Sequence, residues 1–278
     1  MTLAEAYLRG VSALEAAGVP DAAFDCGCLI ASFCGYTHAQ RIAHASDRLS
    51  ETAARDFLEA VRRRADGEPL QYILGEWPFF GRAFLVGRGV LIPRPETELL
   101  VEYALAAVCA RQAPVVWDLC AGTGCIGLTL ALEKPDAQVF LLEKYPDAFA
   151  YLEKNRAALH ASNATLVQAN VLEGAPVLPA PDLIVSNPPY VPSGELCALQ
   201  KEVRREPSSA LDGGADGLAF YRALAQRWIP ALKKGGTLLV ECGDGQGAGV
   251  AALFEAPARS VRVRYDGNRI DRFVEVTV

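Results

Sequence analysis

The chain reads as an α/β protein in which a mostly parallel, doubly wound sheet follows a small N-terminal helical domain. Three observations predict this. Residues 1 to about 75 carry apolar side chains at helical spacing, short apolar runs alternate with helical stretches from Pro114 onward, and a glycine-rich loop follows the first of those runs. Alternation with short connections is what parallel strands joined by crossover helices produce.

In the helical part, Leu3, Ala6, Tyr7, Leu14 and Ala17 recur at helical spacing, and Gly18-Val19-Pro20-Asp21 is expected to end that helix and cap the next. A second apolar helix is predicted from Asp21 to Phe33, stopped at Gly35, and a third after Ser50, through Phe57, Leu58 and Val61. Phe79 to Val86 reads as a hairpin turning at Gly81-Arg82. Val90 to Glu98, with Pro93 and Pro95, reads as an ordered turn before a helix that opens at Thr97 or a neighbour. Strands are predicted at 115–119, 138–143, 164–169, 182–186, 236–242, 260–265 and 272–278, with helices at 124–133, 147–160, 217–232 and 245–256. The expected division is a helical substrate-recognition domain at 1–75, a hairpin linker at 76–95 and the sheet domain at 96–278.

Composition narrows the function. The 278 residues are 51% hydrophobic, enough for a substantial core. No apolar run approaches the roughly 18 residues that span a bilayer. The opening Met1-Thr2-Leu3-Ala4-Glu5-Ala6 lacks a basic segment before an apolar stretch, so no secretory signal is expected and the cytoplasm is the expected compartment. The eight cysteines and three histidines (His38, His44, His160) follow no metal or disulfide spacing. Buried, reduced thiols and no metal chemistry are therefore expected. A net charge of −6, with Arg62-Arg63-Arg64 as the one basic run, leans against a nucleic-acid substrate; that run is expected to be a solvated helix end.

Two motifs carry chemistry. Gly122, Gly124 and Gly127 satisfy G-x-G-x-x-G at a strand-to-helix turn, where missing side chains let backbone approach a ligand. About twenty residues on, Glu143 ends the next strand, where a carboxylate can accept hydrogen bonds from both hydroxyls of a ribose. Loop and acid together point to an adenosine-containing cofactor. Asp118, just before the loop, would repel a pyrophosphate but attract an ammonium group, which favours S-adenosylmethionine over a nicotinamide dinucleotide. A second glycine cluster, Gly243 to Gly247, reads as a connection.

The other motif is Asn187-Pro188-Pro189-Tyr190, directly after the apolar run Leu183-Ile184-Val185-Ser186. Pro-Pro alone reads as a tight turn. Here each proline fixes its φ and removes a donor, and Asn187 is pushed toward an extended conformation by the proline after it. The product is a stiff group of acceptors beside an aromatic ring at the carboxyl end of a strand. It suits a planar NH2 group, with Tyr190 against the π face.

At these residues the chain resembles the protein-(glutamine-N5) methyltransferases that act on peptide chain release factors. The resemblance spans essentially the whole chain. It rests on Gly67-Glu68-Pro69-Leu70-Gln71-Tyr72-Ile73-Leu74-Gly75, Leu91-Ile92-Pro93-Arg94-Pro95-Glu96-Thr97-Glu98, Ile184 to Tyr190, and Glu206-Pro207. Asn-Pro-Pro-Tyr alone is shared with adenine-N6 DNA methyltransferases and some RNA enzymes, whereas the Ile92-to-Glu98 segment behind a helical domain is far more restrictive. The resemblance implies a class I S-adenosylmethionine-dependent methyltransferase domain, Rossmann-like with seven strands, behind a helical domain that grips the release factor.

It also implies that Asn187 and the Pro188 carbonyl hold the glutamine of a Gly-Gly-Gln loop, with Pro189 in the motif and Tyr190 packed on it. The cofactor site would comprise Asp118, Cys120, Ala121, Gly122, Thr123, Gly124, Glu143, Asn170, Val171 and Asn187. Cys120 and Ala121 stand where the family usually has Gly and Thr, and Glu143 where it usually has Asp. Asn170 and Val171 stand where it more often has Asp followed by a large apolar residue. A monomer is expected. The other readings are a glutamine methyltransferase for a ribosomal protein and an adenine-N6 nucleic-acid methyltransferase.

Overall fold

Thr2 begins α1 (Leu3–Ala16) with a capping box, its hydroxyl accepting from Glu5 N–H while the Glu5 carboxylate accepts from Thr2 N–H. The computed structural model describes residues 1–256 and 258–278. It divides into two compact units, Met1–Glu76 with Gln200–Arg205, and Trp77–Leu199 with Glu206–Val278.

The first unit is helical: α1, α2 (Ala22–Cys34), α3 (His38–Ala43), α4 (Glu51–Ala65) and α5 (Leu70–Leu74). Ser50 caps α4 as its sequence position suggests, and Gly35 ends α2 in the left-handed conformation that a glycine adopts at least cost. Asp21 occupies the N-cap position of α2 without making a side-chain cap bond. Leu3, Ala6, Leu14, Leu29, Ile30, Phe57 and Val61 form the buried face. The arginine run departs from the solvated end expected of it. Arg62 and Arg63 pair at the surface with Glu59, Asp66 and Glu68, but Arg64 is buried, forming ion pairs with Asp25 at 2.6 Å and Glu202 at 2.7 Å. Position on the helix explains this, since Arg64 lies one turn from Val61 and Ala60 on the apolar side.

The second unit opens with a two-stranded hairpin, β1 (Glu76–Phe79) and β2 (Arg82–Leu85). Its turn is Phe80-Gly81, one residue earlier than predicted, and both residues take positive φ (49° and 72°), as a tight hairpin turn demands. There follow α6 (Glu96–Val108), β3 (Val115–Leu119), α7 (Cys125–Glu133), β4 (Gln138–Glu143), α8 (Pro146–Ala158), β5 (Ala164–Gln168) and β6 (Leu183–Ser186). The chain ends with α9 (Ala219–Ala223), β7 (Thr237–Glu241), α10 (Gly247–Ala252), β8 (Ser260–Tyr265) and β9 (Asp271–Thr277). The helix predicted over 217–232 is broken: after α9 the chain widens into a π turn at Leu224–Trp228.

Seven strands form one sheet in the order β5-β4-β3-β6-β7-β9-β8, in which β9 runs antiparallel to both of its neighbours. Strand order reverses between β3 and β6, the place where open α/β sheets bind ligands. Both faces are covered. Val116, Val139, Leu141, Val185 and Leu239 pack under α6 and α7, while Trp117, Ile184, Leu238 and Val240 face Tyr221, Leu224, Trp228 and Phe254. Burial on both sides explains why these strands read as continuous apolar runs. The cysteines are all free, and Cys109 and Cys197 are exposed rather than buried, because they sit past the end of α6 and in a short surface turn at 193–198. Among the described residues no helix is long and apolar enough to cross a membrane.

Candidate active site

The carboxyl ends of β3, β4, β5 and β6 open into one cleft of about 910 Å³. Its wall includes Cys120, Ala121, Gly122 and Thr123 after β3, Glu143 at the end of β4, Asn170 and Val171 after β5, and Asn187 and Pro189 after β6.

The glycine loop is shaped by its own backbone. Cys120, Gly122 and Gly124 all take positive φ (62°, 55° and 81°), and Gly124 N–H closes the turn on Ala121 O at 2.7 Å. Cys120 therefore adopts a left-handed conformation that disfavours any side chain, at the place where the family pattern has glycine. Gly124 caps α7, and a Cβ there would lie 2.4 Å from Leu152 Cδ1. Gly127, the third glycine of the pattern, is not at the cleft. A Cβ on it would meet Leu141 Cδ2 at 2.6 Å and Asp118 Oδ2 at 2.7 Å, so it is small to let α7 lie on the sheet.

Asp118 corrects the sequence reading. It is fully buried and lies beneath the loop, where its Oδ2 accepts from Gly127 N–H at 2.8 Å. Its Oδ1 is buried with no hydrogen-bond partner, and burial pushes the carboxyl up to about 7. It does not line the cleft, so it braces the loop rather than receiving an ammonium group.

Glu143 does line the cleft. Its Oε2 accepts from Gly122 N–H at 2.9 Å, and its Oε1 accepts from the N–H groups of Lys144 and Tyr145, both at 2.8 Å. Burial raises its pKa, opposed by those three bonds. A carboxylate has about four acceptor positions. Roughly one remains, on Oε2, open to a further donor.

Asn170 forms an Asx turn, its Oδ1 accepting from Leu172 N–H at 3.1 Å and its Nδ2 donating to Glu173 at 2.7 Å. The Val171 carbonyl accepts from Trp228 Nε1 at 2.9 Å, so the indole that covers β3 also fixes this wall. In Asn187-Pro188-Pro189-Tyr190, Asn187 and Pro189 face the cleft, Pro188 is buried, and the half-buried Tyr190 packs on the core. The segment after it folds back: Gly213 N–H donates to Val191 O, and a Cβ on Gly213 would lie 2.8 Å from both Pro189 O and Tyr190 Cα. Gln246, from the second glycine cluster, donates to Tyr190 O at 3.0 Å, which makes that cluster a support for the motif.

Sequence reasoning missed several residues that shape the site. Thr97 and Phe220 line the cleft, and Thr97 Oγ1 accepts from Asn187 Nδ2 at 3.3 Å and donates to Glu241 Oε2 at 2.7 Å. Glu206 accepts from Ile92 N–H and from Arg94, tying the Pro93-Arg94-Pro95 turn to the 206–210 wall. Asn155 of α8 holds the hairpin and the glycine loop together through Leu85 and Thr123. The paired motifs Ile92–Glu98 and Glu206-Pro207 were a signal that these segments act together.

Comparison with known proteins agrees with this architecture. Residues 5–75 match the PrmC N-terminal domain, and residues 95–214 match the methyltransferase small domain. A release factor glutamine methyltransferase of Cereibacter sphaeroides is 41% identical over 277 residues, covering 99% of this chain and 98% of the relative. The chain belongs to the release factor glutamine methyltransferases. A member from Geobacter sulfurreducens is 45% identical over 216 residues, covering 77% of this chain and 75% of its own. Among solved structures, the catalytic domain of hMettl16 with MAT2A 3'UTR hairpin 1 aligns at TM-score 0.59 and 14% identity, covering 91% of this chain and 90% of that one. A methyltransferase from Pyrococcus furiosus aligns at TM-score 0.52 and 16% identity, covering 71% and 89%. At such identities the two structures speak to the fold, which is that of class I methyltransferases.

Proposed function

We propose that the chain transfers the methyl group of S-adenosylmethionine to the side-chain nitrogen of the glutamine in the Gly-Gly-Gln loop of peptide chain release factors. The observation that carries this reading is a carboxamide, Asn187, at the wall of the cleft that Glu143 and the glycine loop also line. Membership of the family supports the same acceptor and, with it, work in the cytoplasm.

The cleft fits the cofactor. Its walls are largely apolar, and Glu143 keeps an acceptor position beside the backbone of Gly122. Ala121, Gly122 and Thr123 would border the cofactor from the β3 side, Glu143 would take a ribose hydroxyl, and Asn170 with Val171 would border the adenine. The bound cofactor supplies an electrophilic methyl group. The chain's own residues orient the acceptor and exclude water, since an amide nitrogen is a weak nucleophile whose lone pair is shared with its carbonyl. Asn187 Oδ1, at the cleft wall, accepts from the glutamine NH2 and stabilises positive charge growing on its nitrogen, and the carbonyl of Pro188, whose ring is buried behind that wall, would take the second N–H. No strong base is needed before transfer, because the proton leaves afterwards.

The test is incubation of purified protein with labelled cofactor and, separately, release factor, ribosomes and DNA. Label on the Gly-Gly-Gln glutamine is expected, with Asn187→Ala at least about a hundredfold slower. Label on ribosomes or DNA alone, or full activity of Asn187→Ala, overturns the reading.

A further inference from the structure

The Asn187 carboxamide is not free to choose which end faces its substrate. β6 and β7 are parallel neighbours with Ser186 paired to Val240, so Asn187, just past the end of β6, lies beside Glu241, the last residue of β7. Glu241 and Thr97 are both buried, at 6% and 1% exposure. Thr97 donates to Glu241, Asn187 Nδ2 donates to Thr97, and the Glu241 carboxylate is held by both side chains. A threonine hydroxyl has one hydrogen. Having given it to the carboxylate, Oγ1 can only accept from Asn187. The NH2 end of the carboxamide is thereby drawn to Thr97 and Glu241, and its oxygen is left as the acceptor.

We propose that Glu241 is a positioning residue for methyl transfer: as a carboxylate acting through Thr97, it holds Asn187 with its carbonyl oxygen presented to the substrate amide. The inference rests on the function proposed above. Protonation of Glu241 on Oε2, the oxygen that faces Thr97, reverses the chain of hydrogen bonds. The acid then donates to Thr97, Thr97 donates to the Asn187 oxygen, and the turned carboxamide offers NH2 to an incoming NH2. Two donors then face one another, and the hydrogen bond that orients the substrate is lost.

Several groups surround this carboxylate. Arg272, itself paired with Asp266 and 3.8 Å from Glu96, favours the ionised form, and Glu96 opposes it. Tyr190, Cys125 and Cys242 lie within its field, and Tyr221 donates to the Glu241 backbone carbonyl. Burial is the largest influence and pushes the carboxyl up to about 7, against the bond from Thr97. The competent form is the ionised one. The rate is therefore full above that value and is lost as pH falls through it.

The experiment measures kcat for methylation of release factor at saturating S-adenosylmethionine from about pH 5.5 to 8.5, the span that brackets such a group. The variants are Glu241→Gln, Glu241→Leu, Thr97→Val and Thr97→Ser, and calorimetry gives the cofactor affinity of each. Wild-type kcat is expected to fall on the acid side, and Glu241→Gln to abolish that acid limb. Glu241→Leu and Thr97→Val should lose about 10- to 100-fold in kcat, the scale for removing an orienting partner, with a much smaller change in cofactor affinity. Thr97→Ser should recover most of the rate. Wild-type kcat in Thr97→Val, or a wild-type acid limb in Glu241→Gln, overturns the relay. Should Glu241→Leu not fold, the Thr97 pair decides alone. Absence of release factor methylation by the wild-type protein would refute the proposed function, whereas an active wild type with an indifferent Thr97→Val refutes only the relay.

Discussion

Replacing Asn155 with alanine should loosen the glycine loop from a position outside the cleft. Asn155 is fully buried on α8, and its one side chain makes three hydrogen bonds. Oδ1 accepts from Leu85 N–H at 2.7 Å, and Nδ2 donates to Leu85 O at 3.1 Å and to Thr123 O at 2.9 Å. At about 1 kcal/mol net for each bond, alanine should cost about 3 kcal/mol, more where a backbone group is left buried without water. For a domain of this size that lowers Tm by roughly 6–12 °C. Asn155→Asp should cost more, because it keeps the acceptor for Leu85 N–H but turns a carboxylate toward two carbonyl oxygens. Because Thr123 lines the cleft, the alanine variant should also bind S-adenosylmethionine more weakly. Urea unfolding, thermal melts and calorimetry measure all three effects. A stability loss below about 0.5 kcal/mol, under the value of even one ordinary bond, would refute the view that this amide holds hairpin and loop together.

Other perturbations probe the site's remaining supports. Gly124→Ala places a Cβ 2.4 Å from Leu152 Cδ1 at a φ of 81°, and strain plus overpacking should destabilise by about 2 kcal/mol or more, read by urea unfolding; a neutral result removes the steric argument. Glu143→Ala should chiefly weaken cofactor binding, and an unchanged dissociation constant in calorimetry would remove Glu143 from the site. Asp118 titrates in a definite direction: burial raises its folded value to about 7 from an ordinary 3.8, so between those values the folded chain keeps a proton that the unfolded chain releases. Its contribution to stability is thus full at acid pH and is lost as pH rises through 7. Asp118→Asn, which retains an acceptor for Gly127 N–H, should gain stability relative to wild type across that rise, and parallel stability curves would contradict the burial.

Much of the fold was readable in the chain because both faces of the sheet are covered. Val115 to Leu119 and Leu183 to Ser186 are buried at every position, so each appears as an apolar run, interrupted only by Asp118 in the first and ended by Ser186 in the second. The glycine loop was readable because positive φ selects glycine, and the motif after β6 because proline restricts its neighbours. Element ends were less legible: Phe80 occupies a turn position with positive φ for which a bulky residue gives no warning, and the predicted 217–232 helix conceals a π turn.

The direction in which Asp118 points was not legible either. A carboxylate at a strand end looks the same in sequence whether it faces a ligand or lies beneath a helix, and Gly127 decided it by bringing α7 close enough to donate its N–H. The same limit hid the return of 200–205 to the helical unit.

By itself the sequence determined the strands, the loop and the stiff acceptor corner, because each depends on residues within a few positions of one another. Tertiary structure alone decided that Thr97 stands against Asn187 across 90 residues and against Glu241 across 144. The physical reason is that strand order, not local periodicity, brings the ends of β6 and β7 beside the start of α6. There the Thr97 hydroxyl hydrogen goes to Glu241, and its oxygen accepts from the Asn187 carboxamide.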